Sequence, residues 1–348
     1  MPTRMRRALF IAAALGWSLV HSTGVQAADC AKPDDIRVSI FNALFGDMLT
    51  FIAHDAGIFS KHCLNATLVP INAGPAGLAQ LQSGSLQFSD TSPDNVLVAR
   101  AKDLPVKIVV GESTILAISL VARKGLQLPD ENAGYRSVMK GLVGKKIGVY
   151  GIGSGSEYIV RALMRGADLD PNAVTYIGVG PTPTGLAALD NGAVDAVVLL
   201  DPGQDIAVKL DYGHIVVDLR KSGVGPKDLA DLSGMYLVKV ASDDFLREHA
   251  DIARRFVEAN QDTERWVHDP ANFPQVLDMM KKRVPLGQVV PDADALFAKL
   301  VKDYIGYAST TVSRANVAAW NNFEIESGNI KQPLKFEDVV WSGAPIVK

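Results

Sequence analysis

The sequence predicts an α/β protein of two similar lobes. Three observations carry that reading: strand and helix patterns alternate in two successive sets, a ten-residue stretch recurs at the same place in each, and 348 residues exceed what one apolar core usually organises.

The first set opens with Ile36–Ile40, whose period-two apolar spacing is that of a strand, followed by a helix over Met48–Ala56 that Gly57 ends. Ala66–Ile71 reads as the next strand, Gly77–Gln82 as a short helix stopped by Gly84, and Lys107–Val110 as another strand. The second set repeats the scheme: strand Gly144–Tyr150, helix Glu157–Arg165, strand Val174–Ile177, helix Gly185–Leu189 and the apolar strand Val194–Leu200. Alternation of this kind builds a mostly parallel sheet with helices on its faces. The recurring stretch is Gly77–Leu86, which aligns without a gap to Gly185–Val194.

Two extended runs, Ile118–Arg123 and Tyr236–Val240, flank the second set and are expected to cross between lobes as hinge strands. The expected organisation is therefore a first lobe of residues 28–117 and 241–348 and a second lobe of residues 118–240 that includes the crossings. From Asp243 the pattern turns helical: Phe245, His249, Ile252, Phe256 and Ala259 recur at helical spacing, with Asp243 and Asp244 placed to cap the start. Phe273–Met280, Asp292–Tyr304 and Val312–Ile325 continue as helices expected to pack on the first lobe.

Residues 1–27 read as an export signal. Arg4, Arg6 and Arg7 precede the apolar run Ala8–Val20, and Val25-Gln26-Ala27 supplies the small residues before a cut. The run is shorter than the roughly 20 apolar residues that cross a bilayer. Asp29 before Cys30 speaks against a lipidated cysteine, so a soluble exported chain is expected. Removing three arginines takes the formal net charge from −3 to −6, which argues against a nucleic-acid partner. Cys30 and Cys63 are the only cysteines and are placed to pair in an oxidising compartment, against the alternative of two buried thiols.

In parallel α/β sheets ligands gather beyond the carboxyl ends of strands. That rule selects Gly46 and Asp47, Ser92 and Asn95, Ser154, Gly155 and Ser156, Pro181 and Thr182, and Asp201 as candidate binding residues. Glycines of Gly151–Ser156 let the backbone approach a ligand, and N–H groups and hydroxyls at a helix start suit a carboxylate or sulfonate; the alternative is a serine that merely caps the helix. Asp47 is either a helix cap or a cleft carboxylate, and Asp201 either faces the pocket or belongs to an Asp-Pro turn. Position six of Gly151–Ser156 is serine, not the glycine of a dinucleotide loop, and Glu157-Tyr158 replaces the Gly-Lys of a Walker loop. His54, His62, His214, His249 and His268 form no metal-ligand spacing, and no serine sits in a G-x-S-x-G elbow. No metal, cofactor or catalytic set is expected.

Phe51-Ile52-Ala53 with Ala56–Phe59, the Leu81–Gly84 turn, Leu142–Gly148, Gly153–Ser156, and Gly192–Ala196 followed by Asp201-Pro202 together resemble the nitrate/sulfonate/taurine group of ABC-importer solute-binding proteins, also described as NMT1-like. The resemblance spans about residues 36–270. It implies a type II periplasmic-binding-protein fold, a cleft that closes on one sulfonate, carboxylate or pyrimidine-class solute, and delivery by a monomer to an inner-membrane ABC permease. The candidate loops hold no arginine, which leaves Arg100, Arg123 and Lys124 as basic residues within reach. A related synthase of pyrimidine precursors shares the fold, so the same resemblance carries an enzymatic alternative; a solute sensor for a signalling receptor is the third.

Overall fold

The structure, a computed structural model, describes residues 30, 32–41, 43–221, 223–285 and 293–347. The export-signal segment lies outside them. The first α/β run comprises β1 (Asp34–Phe41), α1 (Met48–Asp55), α2 (Ile58–Lys61), β2 (Leu64–Ile71), α3 (Gly74–Gln82), β3 (Ser89–Thr91), α4 (Pro93–Ala101) and β4 (Val106–Ser113). The second comprises β5 (Ile118–Arg123), α5 (Tyr135–Gly141), β6 (Lys146–Val149), α6 (Gly155–Gly166), β7 (Thr175–Gly178), α7 (Thr182–Asp190), β8 (Ala196–Leu200), α8 (Gly203–Lys209), β9 (Gly213–Asp218) and α9 (Lys227–Ala230). There follow β10 (Leu237–Ser242), α10 (Asp243–Glu248), α11 (Ala250–His268), α12 (Phe273–Arg283), α13 (Ala293–Ile305), β11 (Val312–Ser313), α14 (Arg314–Glu326), α15 (Phe336–Val339) and β12 (Ile346–Val347).

The sheets share one topology. In the first lobe β2 and β1 pair in parallel, a Val38–Phe88 bridge joins β1 to the approach of β3, and β3-β10-β4 completes the layer. In the second the order is β7-β6-β8-β5-β9. The fourth strand of each, β10 and β5, runs antiparallel to both neighbours. Helices cover the sheets on both sides of their central strands; Ala196–Leu200 is apolar and buried throughout.

The recurring stretch is structurally equivalent in both lobes. After α3, Ser85 and Leu86 N–H donate to Gln80 O; after α7, Ala193 and Val194 N–H donate to Ala188 O. Gly84 and Gly192 occupy the turn at φ of 70° and 73°, the left-handed region that glycine enters freely.

Both runs expected as crossings are instead interior strands. Ile118–Arg123 is β5 of the second sheet, and Tyr236–Val240 leads into and forms most of β10 of the first. The chain passes between lobes at residues 114–117 and 219–236, so Leu237–Val240 pairs with the first lobe rather than the second. Extended apolar residues specify a strand but not its partner, which register and packing decide. The second crossing is fastened to α14, where Trp320 Nε1–H donates to Met235 O (2.8 Å) and Asn316 Nδ2–H to Ser233 O (2.7 Å).

The helical tail packs on the first lobe: α11 lies on α1 and α14 on α4. Phe88 stacks on Phe256 of α11 with ring centroids 3.8 Å apart. Ser242, not Asp243 or Asp244, caps α10, its Oγ accepting from Phe245 N–H. Cys30 and Cys63 form a disulfide across a Cα separation of 5.5 Å. Among the described residues no helix is long and apolar enough to cross a membrane.

Candidate functional site

Where the lobes face one another, three helix starts converge on one small cavity. From the first lobe come α3, entered through Ala73, and α4, entered through Ser92; from the second comes α6, entered through Ser154. Pro75 and Pro93 lie in the first turns of α3 and α4, where their missing N–H costs nothing. The free N–H groups of these first turns leave partial positive charge at the cavity.

The lobes stand close. A Cβ on Gly155 would lie 2.7 Å from Ser92 Oγ and 3.1 Å from Asp94 Oδ1, and one on Gly151 would lie 3.0 Å from Ala73 Cβ. Glycine is thus what allows this approach, and the remaining gap is about 30 Å³, room for little more than a water molecule. Any larger guest requires the lobes to part.

Of the candidates read from the sequence, Ser92, Asn95, Ser154, Gly155 and Ser156 line this cavity. Neither serine hydroxyl caps α6. Ser156 Oγ accepts from Tyr150 N–H (3.0 Å), Ser154 Oγ from Gly151 N–H (3.3 Å), and the two hydroxyls bond each other at 2.8 Å. One hydroxyl proton of that pair is left to donate into the gap. Asn95 Nδ2–H donates to Ser92 Oγ at 3.1 Å.

The other candidates lie elsewhere. Gly46 packs beneath Leu237, leaving no room for a side chain. Asp47 is fully buried inside the first lobe, where Oδ2 accepts from Phe41 N–H (2.8 Å) and Oδ1 faces Lys239 Nζ at 3.4 Å. It is neither helix cap nor cleft carboxylate. Pro181 opens α7, its carbonyl accepting from Thr184 and Gly185 N–H. Thr182 sits behind the cavity wall, hydrogen-bonded to the Tyr150 hydroxyl at 2.7 Å, and borders a separate apolar recess of about 370 Å³ with Leu186, Ile206 and Val284. Asp201 is on the hinge side, tied to Gln204 and to Arg220 (2.9 Å), while its carbonyl receives Phe45 N–H from the first lobe at 2.9 Å.

Sequence reasoning missed Phe41, Tyr150 and Tyr236, which also line the cavity, as does Thr91, the first residue of the strand-end segment that holds Ser92 and Asn95. Phe41 and Tyr150, one from each lobe, meet edge to face at 6.3 Å. Thr91 Oγ1 is buried with no protein partner. Tyr150 follows a strand, so the strand-end rule that selected Ser154 reaches it when applied to the start of the loop.

No lysine, arginine, histidine or carboxylate is among the lining residues. Arg100 is paired with Asp243 (2.6 Å), Arg123 with Asp195 (3.3 Å) and Lys124 with Asp211, so none of the three reaches in. His54, His62 and His214 are engaged with Asp55, Asp262 and Glu131. Among the described residues no cluster of three His, Cys, Asp or Glu could hold a metal.

Charge is instead buried on either side. Beneath the first-lobe floor Lys239 faces Asp47, Asp90 and Glu112 (3.6 Å) and donates to Ser39 O (3.0 Å). Burial opposes the ammonium, but the three carboxylates outweigh it and raise the Lys239 pKa. Burial, with Asp90 beside it, pushes Asp47 well above the carboxylate range, and burial pushes Glu112 up to about 7 although Lys239 pulls the other way. On the hinge side burial raises Asp201 to about 7 against the pull of Arg220. Hydrogen bonds from Arg220 overcome burial and hold Asp218 below its ordinary value.

Comparison with known proteins matches this architecture. A protein of Brucella abortus, described only as a candidate binding protein, is 23% identical over 96% of this chain and 97% of its own length. A solved structure from Bordetella bronchiseptica superposes with a TM-score of 0.72 at 19% identity, covering 90% of this chain and 94% of that one. The alkanesulfonate-binding protein SsuA of Xanthomonas axonopodis pv. citri, solved with MOPS bound, gives 0.69 at 14% identity over 89% and 99%. The family profile described as NMT1/THI5 like matches residues 48–272, well over half of the chain. The chain belongs to the NMT1/THI5-like family and has the two-lobed α/β fold of a periplasmic solute-binding protein.

Proposed function

We propose that this protein captures a small polar or anionic organic solute between its lobes in the periplasm and delivers it, as a monomer, to an inner-membrane ABC importer. The observation that carries this reading is the cavity between lobes, lined from both sides by helix N-termini, hydroxyls and one amide, with aromatic rings as walls. Helix starts favour an oxyanion, and the rings favour a flat or apolar body, so sulfonates, carboxylates and pyrimidines are the solute classes to test. Contacts from both lobes are complete only when the cleft shuts, which makes the shut form the one that holds solute and that a permease distinguishes. No bond of the solute is made or broken.

The test is a thermal-shift screen of residues 28–348 against sulfonates, carboxylates, amines and pyrimidines. A bound solute at a hundredfold its Kd stabilises by about 2.7 kcal/mol, well within detection. Stabilisation without turnover supports capture, and conversion of the compound to product overturns it. Replacing Ser154 and Ser156 together by Ala is expected to weaken binding about fivefold, from the one free hydroxyl proton and a hydrogen bond of roughly 1 kcal/mol. Unchanged affinity removes the hydroxyls from the site.

A further inference from the structure

We propose that Asp94, with Glu324 near it, is a proton-linked latch: the first turn of α6 seats against Asp94 only when the pair carries a proton, so closure strengthens as pH falls. The inference rests on reading the cleft as one that opens and shuts.

Asp94 stands in the first turn of α4, between the cavity residues Ser92 and Asn95, and faces the opposite lobe. Its carboxylate oxygens would be 3.1 and 3.2 Å from a Cβ on Gly155, so the shut interface is built around it. The residue is fully buried, and its oxygens make no full hydrogen bond, although the Ser92 hydroxyl and the backbone N–H groups of Asp94 and Asn95 lean toward its charged form. Glu324 of α14 is also fully buried; Asn329 donates to its Oε2 at 2.8 Å, and its Oε1 has no partner.

Other groups around the pair offer little compensation. From α6, Tyr158 is near enough to both acids that burial, with their charges, pushes its hydroxyl up to about 12. Glu157 is held by Arg161, whose guanidinium also bonds Asn172. Arg165 acts on Glu324 only at longer range, being bonded to Ser327 at 2.6 Å across the lobes. Tyr236, ahead of β10, is buried with its ionisation further opposed by Asp94. Further along α4, Arg100 is occupied by Asp243.

Burial accordingly raises Asp94 to about 6 against the pull of Ser92 and the Asp94 and Asn95 N–H groups, and burial together with Asp94 raises Glu324 to about 8. Parting the lobes returns water to Asp94 and lets it relax toward the ordinary carboxylate value. The shut form therefore binds more protons than the open one, and closure is progressively lost as pH rises through the raised values. From Asp94 alone the shut-to-open ratio is expected to fall about tenfold between pH 5 and pH 7.

The experiment uses the protein alone. Cysteines introduced at exposed Lys102 and Asp170, one on each lobe, take spin labels without competition, because the native cysteines are bridged. Pulsed electron-resonance distances are then read from pH 5 to pH 8.5. The short-distance population is expected to grow at low pH, and Asp94→Asn is expected to hold it at its low-pH level throughout. Glu324→Gln, made separately, is expected to weaken the pH response and serves if the first variant folds poorly. A wild-type distribution identical at both ends overturns the latch, as does an undiminished pH response in both variants. Capture is judged independently by the thermal-shift screen, so a stabilising compound found with pH-independent lobe distances retains capture and rejects the latch.

Discussion

The two lobes have the same strand order but solve the same position in opposite ways. Extending the Gly77–Gly185 equivalence along the chain sets Asp90 of β3 against Val198 of β8. Asp90 pairs across the sheet with Lys239 of β10, whereas Val198 pairs with Leu120 of β5. Outer neighbours correspond as well, Lys239 opposite Val110 and Leu120 opposite Val217. One lobe thus places a fully buried ammonium among three carboxylates where the other packs aliphatic chains. The fold tolerates either, which agrees with the small net worth of a well-satisfied buried ion pair against its apolar isostere. Difference between the lobes then lies in what a single substitution leaves behind.

The largest expected effect follows directly. Lys239→Met leaves Asp47, Asp90 and Glu112 buried together without their cation, and about 3–5 kcal/mol of stability should be lost. The double change Asp90→Val with Lys239→Leu copies the second lobe at the paired positions and should recover part of that loss, Asp47 and Glu112 remaining buried without a cation. Urea unfolding of both variants decides it; a double variant no better than the single would break the equivalence of the positions.

Titration gives the next effect. Glu112 is held near 7 in the folded state against 4.5 for a free glutamate, so the folded form binds the extra proton across that window. From Glu112 alone stability should decline by about 2 kcal/mol from pH 5 to pH 7 and level off above, the contribution being complete only at acid pH. Glu112→Gln should remove that share of the profile in denaturant titrations. A profile rising with pH over that window would show the carboxyl ionised.

The smallest effect tests where the lobes agree. Gly84→Ala and Gly192→Ala each force an alanine into a left-handed turn of nearly equal φ, at about 1 kcal/mol apiece. Neither has a neighbour that an added Cβ would strike, so the two costs should match. A clear inequality in melting temperature would show that the turns differ in more than backbone angle.

Much of this architecture was legible from local pattern. Period-two runs located β1 and β6, the Gly-stopped helices α3 and α7 announced the repeat, and serines and glycines at strand ends pointed to the cavity. Asp47 and Asp201 were harder. A carboxylate after a strand has the same sequence signature whether it faces solute, a lysine 192 residues away or an arginine 19 residues on. Lys239 itself gave no warning, because its strand reads as an ordinary apolar run interrupted by one charge. Phe41, Tyr150 and Tyr236 carry no sequence signature that separates a core aromatic from a cavity wall, and only the meeting of two lobes makes them walls of a gap.

By itself the sequence determined that strands alternate with helices, that two halves repeat, and that helix starts rich in hydroxyls would lie at strand ends, since each of these depends on residues close along the chain. The tertiary structure decided which strand pairs with which, where the chain crosses, and which polar groups share the gap. Those outcomes turn on contacts between residues tens to hundreds of positions apart, where burial and charge compensation, rather than local backbone preference, set the free energy.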